Sequence, residues 1–177
     1  MASSRIVQAI KDFAARVNED GVGEGANHHG ASFIHGPADR LLKDKEGNGR
    51  MQMYCAPKPD ARNVFSGQQI NILTLSKEDE EFIKTSALAA GDGAIVIDVN
   101  GDFIANKIFI KDLRYATTSG GARHESASSL AAKAEENGLD VTVIVLSEDS
   151  PKTHKMRVFH GSSDTSLSTT VKLFSIY

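Results

Sequence analysis

Two short glycine-containing runs carry the side chains of this sequence that best suit chemistry on a phosphate. The first is Gly91-Asp92-Gly93-Ala94, and the second is Gly121-Ala122-Arg123-His124, about thirty residues later. The planar fork of an arginine suits phosphate oxygens, and a histidine can donate to phosphate or bind a metal. The glycines beside Asp92 leave room for a ligand to approach the backbone. These residue types indicate a site for a phosphorylated ligand.

Asp92 begins a predicted β-hairpin. Asn100-Gly101 between two apolar runs is a strong hairpin signal, because a type I′ turn needs positive φ at both central residues. With these two residues as the turn, Asp92 lies opposite Phe109, about 5 Å away between α-carbons. A carboxylate and an aromatic ring would then share one end of the hairpin. The alternative is that Asp92 is only a turn-forming residue at a strand end.

The run that contains Arg123 and His124 precedes a predicted helix. Residues 128–136 are rich in alanine and charged residues, and Asn137-Gly138 is a helix stop. Arg123 and His124 therefore lie at the helix N-terminus, where free backbone N–H groups and the helix dipole favour an anion. The alternative is a helix start that faces solvent and binds nothing.

Other segments predict the elements that position these two runs, and together they indicate an α/β protein. A helix over about 4–17 has an apolar stripe formed by Ile6, Ile10, Phe13, Ala14 and Val17. Ser76-Lys-Glu-Asp79 resembles a capping box before a second helix. The apolar run 141–146 predicts a central strand that is buried on both faces. Shorter strands are predicted at 31–34, 51–55, 155–160 and 169–177, with a turn at 57–62.

The composition limits the class of protein. A chain of 177 residues with 40% hydrophobic content predicts a single domain with a real core. The net charge of −3 argues against a nucleic-acid partner. Cys55, as a single cysteine, suits a reducing cytosol, and the sequence predicts neither a signal peptide nor a membrane span. A metal site at His28, His29 and His35 is the less favoured interpretation, because no cysteine or carboxylate at a fixed spacing supports it, and a polar strand edge is the favoured one.

The pair of motifs resembles the diadenylate cyclase (DAC) domain family. The resemblance rests on Asp-Gly-Ala at a strand start, Gly-x-Arg-His at a helix start and an apolar strand that ends in Ser-Glu. It covers a core of about residues 28–161 within a single domain of residues 1–177. Members of this family condense two ATP molecules into cyclic di-AMP and two pyrophosphates. The resemblance implies the DAC-domain fold, which is a mixed central sheet flanked by helices, in a cytoplasmic enzyme.

The resemblance also implies roles for individual residues. The catalytic residues would be Asp92, Arg123 and His124, and the ligands of Mg²⁺ or Mn²⁺ would be Asp92 and Glu148. Catalysis would require a homodimer or a higher homo-oligomer, with no membrane partner. The residues implied to contact the nucleotide are Gly93, Ala94, Phe109, Ile110, Gly121, Arg123, His124, Ser147 and Glu148.

Three positions depart from the family pattern. Ala122 replaces a threonine and so removes a phosphate donor, and Glu125 replaces an arginine and so reverses a charge near an anionic ligand. Gly91 stands where some relatives have a histidine. Two alternatives therefore remain. One is a catalytically inactive module of the same fold that binds ATP or cyclic di-AMP, and the other is an unrelated α/β domain.

Overall fold

The computed structural model of the chain describes residues 2–20, 30–42, 54–57, 62–88, 93–111, 122–146 and 155–168. These residues form four α-helices, α1 (Ala2–Asp20), α2 (Ala38–Leu41), α3 (Lys77–Ile83) and α4 (Ala122–Glu136). The strands are β1 (Ala31–His35), β2 (Tyr54–Pro57), β3 (Ala94–Ile97), β4 (Phe103–Lys111), β5 (Thr142–Leu146), β6 (Lys155–His160) and β7 (Ser163–Ser168). The predicted α/β class is confirmed. The assignment of residues 1–177 to one domain stays a prediction.

The strands form one mixed sheet in the order β2-β4-β3-β1-β5-β6-β7. Strands β1 and β3 are parallel, and all other neighbouring pairs in this sheet are antiparallel. Every residue of β1 and of β5 is buried. This confirms the prediction that the apolar run at 141–146 is a central strand covered on both faces.

The two faces of the sheet support two hydrophobic clusters. Helices α1 and α3 contribute to one cluster, and α2 and α4 contribute to the other. The predicted stripe of α1 is confirmed, since all of its members are buried. The ring of Phe13 packs edge-on against Phe33 and Phe103, with ring centroids 5.8 and 6.2 Å away. None of the helices in the described ranges is both long and apolar enough to cross a lipid bilayer.

The helix that leads towards Asp92 begins as predicted and continues as a π-helix. The Ser76 hydroxyl accepts from the Asp79 backbone N–H, and the Asp79 carboxylate accepts from the Ser76 N–H, so the capping box is confirmed. The last turns are a π-helix over Lys84–Leu88. Its residues Ala87 and Leu88 are buried.

Both edge strands differ from the prediction. Pro57 was assigned to a turn but ends β2, which is an edge strand and therefore tolerates a residue without an N–H donor. At the other edge, the unpredicted strand β7 pairs with β6 from Lys155–Ser168 to His160–Ser163. The predicted final strand at 169–177 lies outside the described residues.

The predicted hairpin is confirmed as β3–β4, but its turn is not type I′. The φ of Gly101 is +91°, whereas the φ of Asn100 is not positive. The Gly101 N–H donates to the Asp98 carbonyl at 3.0 Å, and the Asp98 N–H donates to the Asp102 carbonyl at 2.9 Å. The connection is therefore a longer hairpin loop, which allows a different pairing of the strands.

The register of the hairpin also differs from the prediction. The predicted register places Ala94 opposite Lys107, but Ala94 pairs with Ile108. The shift results from the longer loop, beside which Ile97 pairs with Phe103, and from two β-bulges in β4, one on each side of Ala105. The predicted pairing of Asp92 with Phe109 no longer follows from the hairpin, and Asp92 itself lies outside the described residues.

Candidate functional site

The segments that carry the predicted site lie where β1 and β3 start and β5 ends. This edge of the sheet is formed by strand termini and not by an edge strand. Ala94 pairs with Ser32 at the start of β1, and Leu146 at the end of β5 pairs with Ala31. Strands β3 and β5 therefore flank β1, and their ends at this edge are about 10 Å apart. Asp92 immediately precedes Gly93, and Ser147-Glu148 immediately follow Leu146. Asp92, Ser147, Glu148 and Gly121 lie outside the described residues.

Helix α4 directs its N-terminus towards the same edge. It packs on the sheet through buried residues such as Leu130 and Ala134, which share a cluster with Val143 and Val145 of β5. The turn at Gly138 returns the chain to β5 at the opposite edge. Helix α4 therefore runs antiparallel to β5 along a length of about 21 Å. Its first turn lies towards the edge where β5 ends.

The first turn of α4 presents a guanidinium and an imidazole. Arg123 and His124 are half-buried, whereas Glu125 is exposed. The prediction that both residues lie at a helix start is confirmed. The Glu125 carboxylate lies in the turn where the helix dipole favours an anion. Glu125, which stands where the family has an arginine, therefore interacts favourably with the helix dipole.

His124 packs against the outer part of the sheet. Its ring lies edge-on to the ring of Phe159 in β6, with centroids 6.3 Å apart and an interplanar angle of 66°. Strand β6 is three strands from β3 in the sheet, which corresponds to about 14 Å. A ligand that reaches from His124, beside β6, to the start of β3 is therefore expected to be extended.

The support of His124 by the hairpin β6–β7 was not predicted. The Arg157 guanidinium lies 5.2 Å from the centroid of the Phe159 ring. Arg157 also forms an ion pair with Asp164 of β7. Phe159 is almost fully buried, so its ring is fixed between a charged pair and the imidazole. The alternation of Arg157 and Phe159 in a strand beside a helix start is the signal that could have indicated this support.

Phe109 and Ile110 lie near the end of β4, opposite Ala56 and Cys55 of the edge strand β2. Both are half-buried, and Ile110 packs against the cluster on the α4 face. Because adjacent residues of a strand point to opposite faces, the Phe109 ring lies on the other face. A single adenine ring is therefore expected to contact one of these two side chains.

The backbone geometry after Asp92 requires a glycine at position 93. Gly93 has φ of +77°, and a Cβ added there would lie 2.8 Å from the carbonyl carbon and the α-carbon of Lys107. The space predicted to admit a ligand beside this glycine is therefore filled by the backbone of β4. Gly93 allows β3 and β4 to approach closely at the bulge.

Replacing Gly93 by Ala is expected to lower the free energy of unfolding by about 2–4 kcal/mol, through backbone strain and the clash with Lys107. Gly67→Ala is the matched control, because Gly67 has φ of +76° and no atom within 4 Å of the added Cβ. The control is expected to lose only about 1 kcal/mol. Urea unfolding measures both changes, and equal losses would show that the contact with Lys107 has no energetic role.

The fold is similar to that of a solved diadenylate cyclase structure. DacA from Staphylococcus aureus, a diadenylate cyclase solved as a double mutant, superposes on this chain with a TM-score of 0.50. The similarity covers 98% of this chain and 93% of that chain, at 12% sequence identity. This chain has the diadenylate cyclase fold. The predicted resemblance is thereby confirmed at the level of the fold. The sequence matches no protein-family model and no curated protein.

The metal predicted for the diadenylate cyclase fold would depend on residues beyond the described ranges. Within the ranges that the structure describes, no group of three or more His, Cys, Asp or Glu side chains could hold a metal ion. Asp92 and Glu148, the two implied ligands, lie outside those ranges. Their carboxylate oxygens suit Mg²⁺ and Mn²⁺. The metal site therefore stays a prediction that rests on these two residues.

His35 lies at the opposite edge of the sheet from Gly93 and is buried. Burial lowers the pKa of His35 below its ordinary value of 6.5. Hydrogen bonds to the backbone of Ile97 and Asp98, and the negative charges of Asp140 and Asp98, raise this pKa by smaller amounts. His28 and His29 lie outside the described residues, so the conceivable three-histidine site stays untested. Burial likewise raises the pKa of the Cys55 thiol to about 12.

The lowered pKa of His35 predicts a stability that depends on pH. The unfolded state binds a proton at His35 below pH 6.5, whereas the folded state keeps the ring neutral to a lower pH. The contribution of the neutral His35 to folding stability is therefore fully present above pH 6.5. It is lost as the pH drops towards the folded-state pKa, and the free energy of unfolding falls by at most about 1.4 kcal/mol per pH unit. Urea unfolding between pH 7.5 and about 5 measures this slope. A His35→Gln variant with the same slope would contradict the assignment.

Proposed function

We propose that this protein is a diadenylate cyclase, which condenses two ATP molecules into cyclic di-AMP and two pyrophosphates. The diadenylate cyclase fold over nearly the whole chain, with the motif-bearing segments at one sheet edge, carries the proposal. The start of β3, the end of β5 and the first turn of α4 converge on that edge. The separation of about 14 Å between β3 and β6, whose Phe159 contacts His124, suits an extended ligand such as a nucleoside triphosphate.

The proposed reaction has two equivalent steps. In each step the ribose 3′-hydroxyl of one ATP attacks the α-phosphate of the other, a P–O bond forms, and pyrophosphate leaves. The hydroxyl proton is lost to the carboxylate of Asp92, directly or through water. Arg123 and His124 hold the triphosphate and stabilise the negative charge that develops on it. Mg²⁺ or Mn²⁺ bound by Asp92 and Glu148 would neutralise phosphate charge and lower the pKa of the attacking hydroxyl.

The departures at positions 122 and 125 are compatible with this activity. The Glu125 side chain is exposed, so its repulsion of a bound triphosphate is weakened by water and by salt. Ala122 begins α4, where backbone N–H groups remain available to an anion. The loss of the threonine hydroxyl at this position would then remove one donor from a set of several.

Product analysis tests the proposal against its alternative. The protein is incubated with ATP and either Mg²⁺ or Mn²⁺, and the nucleotides are separated and identified by mass. The proposal predicts cyclic di-AMP in the presence of either metal and none after chelation by EDTA. Calorimetric binding of ATP without product would instead support the inactive nucleotide-binding module. An absence of both binding and product would contradict both functions.

The proposed reaction also requires two copies of the chain. The sequence contains one Asp-Gly-Ala, one Arg-His and one Ser-Glu, and therefore supplies one triphosphate site. Two chains must meet with their Asp92 edges opposed, so that each nucleotide presents its hydroxyl to the other. Turnover per chain is expected to rise with protein concentration in the dilute range. Constant turnover down to nanomolar protein, together with a monomeric mass, would contradict this assembly.

A further inference from the structure

Lys107 lies at a strained point of β4 beside the candidate site. Its φ is +52°, and among the described residues it is the one non-glycine residue with a positive φ. The strain coincides with a bulge, because β4 advances from Ala105 to Ile108 while β3 advances only from Val96 to Ala94. A bulge of this kind usually has glycine at the left-handed position, since a side chain there is unfavourable.

Lys107 also contacts the segment that carries the proposed catalytic aspartate. Its backbone lies against Gly93, the residue after Asp92. With Gly30, Ala31 and Ala94, Lys107 lines a small cavity of about 10 Å³ at the starts of β1 and β3. The residue is half-buried. Within the described part of the chain, its ammonium group has no ion pair or hydrogen bond that would explain the strain.

The bulge itself is held by hydrogen bonds that do not involve the lysine side chain. Asn106 is buried, and its carboxamide oxygen accepts from the Val64 backbone N–H at 3.0 Å. Asn63 donates to the Ile104 carbonyl at 2.9 Å, beside the other bulge of the same strand. The geometry of β4 therefore does not require a lysine at position 107, and glycine would adopt the same backbone without strain.

We propose that Lys107 is a further phosphate-binding residue of the nucleotide site. The bulge places the backbone of Lys107 against Gly93, where β3 begins, and bulges near sites commonly redirect a side chain. The four-carbon stem of lysine is long enough for the ammonium to reach a phosphate bound beyond the start of β3. The contact between the Lys107 ammonium and a phosphate explains why a lysine occupies a strained position where glycine would fit. The inference rests on the proposed function, because it requires a bound nucleoside triphosphate.

Three substitutions separate the charge of Lys107 from its backbone conformation. Lys107→Gly and Lys107→Asn both tolerate positive φ and both remove the ammonium, whereas Lys107→Arg keeps a positive charge. Both neutral variants are expected to bind ATP about tenfold more weakly or worse, on the scale of a lost charge-assisted hydrogen bond. Lys107→Arg is expected to retain most of the affinity. Lys77→Gln, at an exposed residue of α3, is the control for net charge.

Calorimetric titration with ATP and with adenosine, combined with thermal unfolding, provides the decisive comparison. The proposal predicts that Lys107→Gly unfolds at or above the wild-type temperature, loses affinity for ATP and keeps its affinity for adenosine. ATP binding by Lys107→Gly that equals wild type would overturn the inference alone. A loss of both affinities, or a loss in Lys77→Gln of the same size, would also overturn it. Wild-type protein that fails to bind ATP would overturn the proposed function together with this inference.

Discussion

Replacing Asp92 by Asn is expected to reduce the formation of cyclic di-AMP by about 10²–10⁴-fold while the fold is retained. The amide cannot accept the proton of the ribose hydroxyl and binds a divalent cation less well than a carboxylate. A carboxylate that precedes a strand contributes little to packing, so the unfolding temperature is expected to stay close to that of wild type. Turnover per folded molecule, measured with ATP in excess, tests this result.

A second aspartate of the same hairpin provides the control for Asp92→Asn. The Asp98 carboxylate accepts from the backbone N–H groups of Asn100 and Asp102 at 2.9 and 3.0 Å. Asp98→Ala should therefore destabilise the hairpin loop and leave turnover per folded molecule nearly unchanged. Undiminished turnover in Asp92→Asn would remove Asp92 from the mechanism. A loss of the same size in Asp98→Ala would indicate that the activity depends only on an intact hairpin.

Replacing Arg123 by Ala is expected to weaken ATP binding by about 1.5–3 kcal/mol, which is roughly 10- to 150-fold. Arg123 lies in the first turn of α4, where its guanidinium adds to the field of the helix N-terminus. Lys133→Ala, in the last turn of the same helix, controls for the loss of a positive charge. Calorimetry that gives equal affinities for Arg123→Ala and wild type would show that the helix start does not bind the phosphates.

Glu125→Arg tests the charge departure in the same turn. Because Glu125 is exposed, the restored positive charge is expected to change ATP affinity less than the loss of Arg123 does. The change is also expected to weaken the helix start, since a cation there opposes the dipole. A large gain in turnover would show that Glu125 faces the triphosphate. A large loss would show that this chain uses the carboxylate itself.

Local sequence signals predicted the elements of the fold well, because their physical causes are local. The capping box at Ser76 and Asp79 needs only two residues three positions apart, and it forms as expected. The stripe of α1 and the apolar run of β5 likewise contain their own burial pattern. The same holds for the helix start at Arg123 and His124, which follows from composition and a downstream stop signal.

Features that depend on distant pairing were not predictable in the same way. The register of β3–β4 depends on two bulges that are held by residues about forty positions earlier in the chain. Asn63 donates to the Ile104 carbonyl, and the Val64 N–H donates to the Asn106 carboxamide oxygen. Strand β7 is polar and is held by pairing with β6, so its own residues give little strand signal. Pro57 was read as a turn because the sequence does not show that β2 is an edge strand.

The candidate site was predictable as a set of motifs but not as a geometry. The motif at Gly93-Ala94 and the helix start at Arg123-His124 are described, and the packing of His124 on Phe159 was not expected. Lys107 was missed, although the polar pair Asn106-Lys107 interrupts the apolar alternation of β4 and so marks a bulge. A search for polar interruptions inside predicted strands would have identified it.

The stoichiometry of the wild-type reaction tests the central claim most directly. ATP is incubated with the protein and Mn²⁺, and the phosphorus-containing products are followed by ³¹P NMR. The proposed function predicts that two ATP are consumed for each cyclic di-AMP formed, with release of two pyrophosphates and no accumulation of ADP or inorganic phosphate. ATP that remains intact at micromolar protein concentration, or that is converted only to ADP and phosphate, would contradict the proposal that this fold acts here as a diadenylate cyclase.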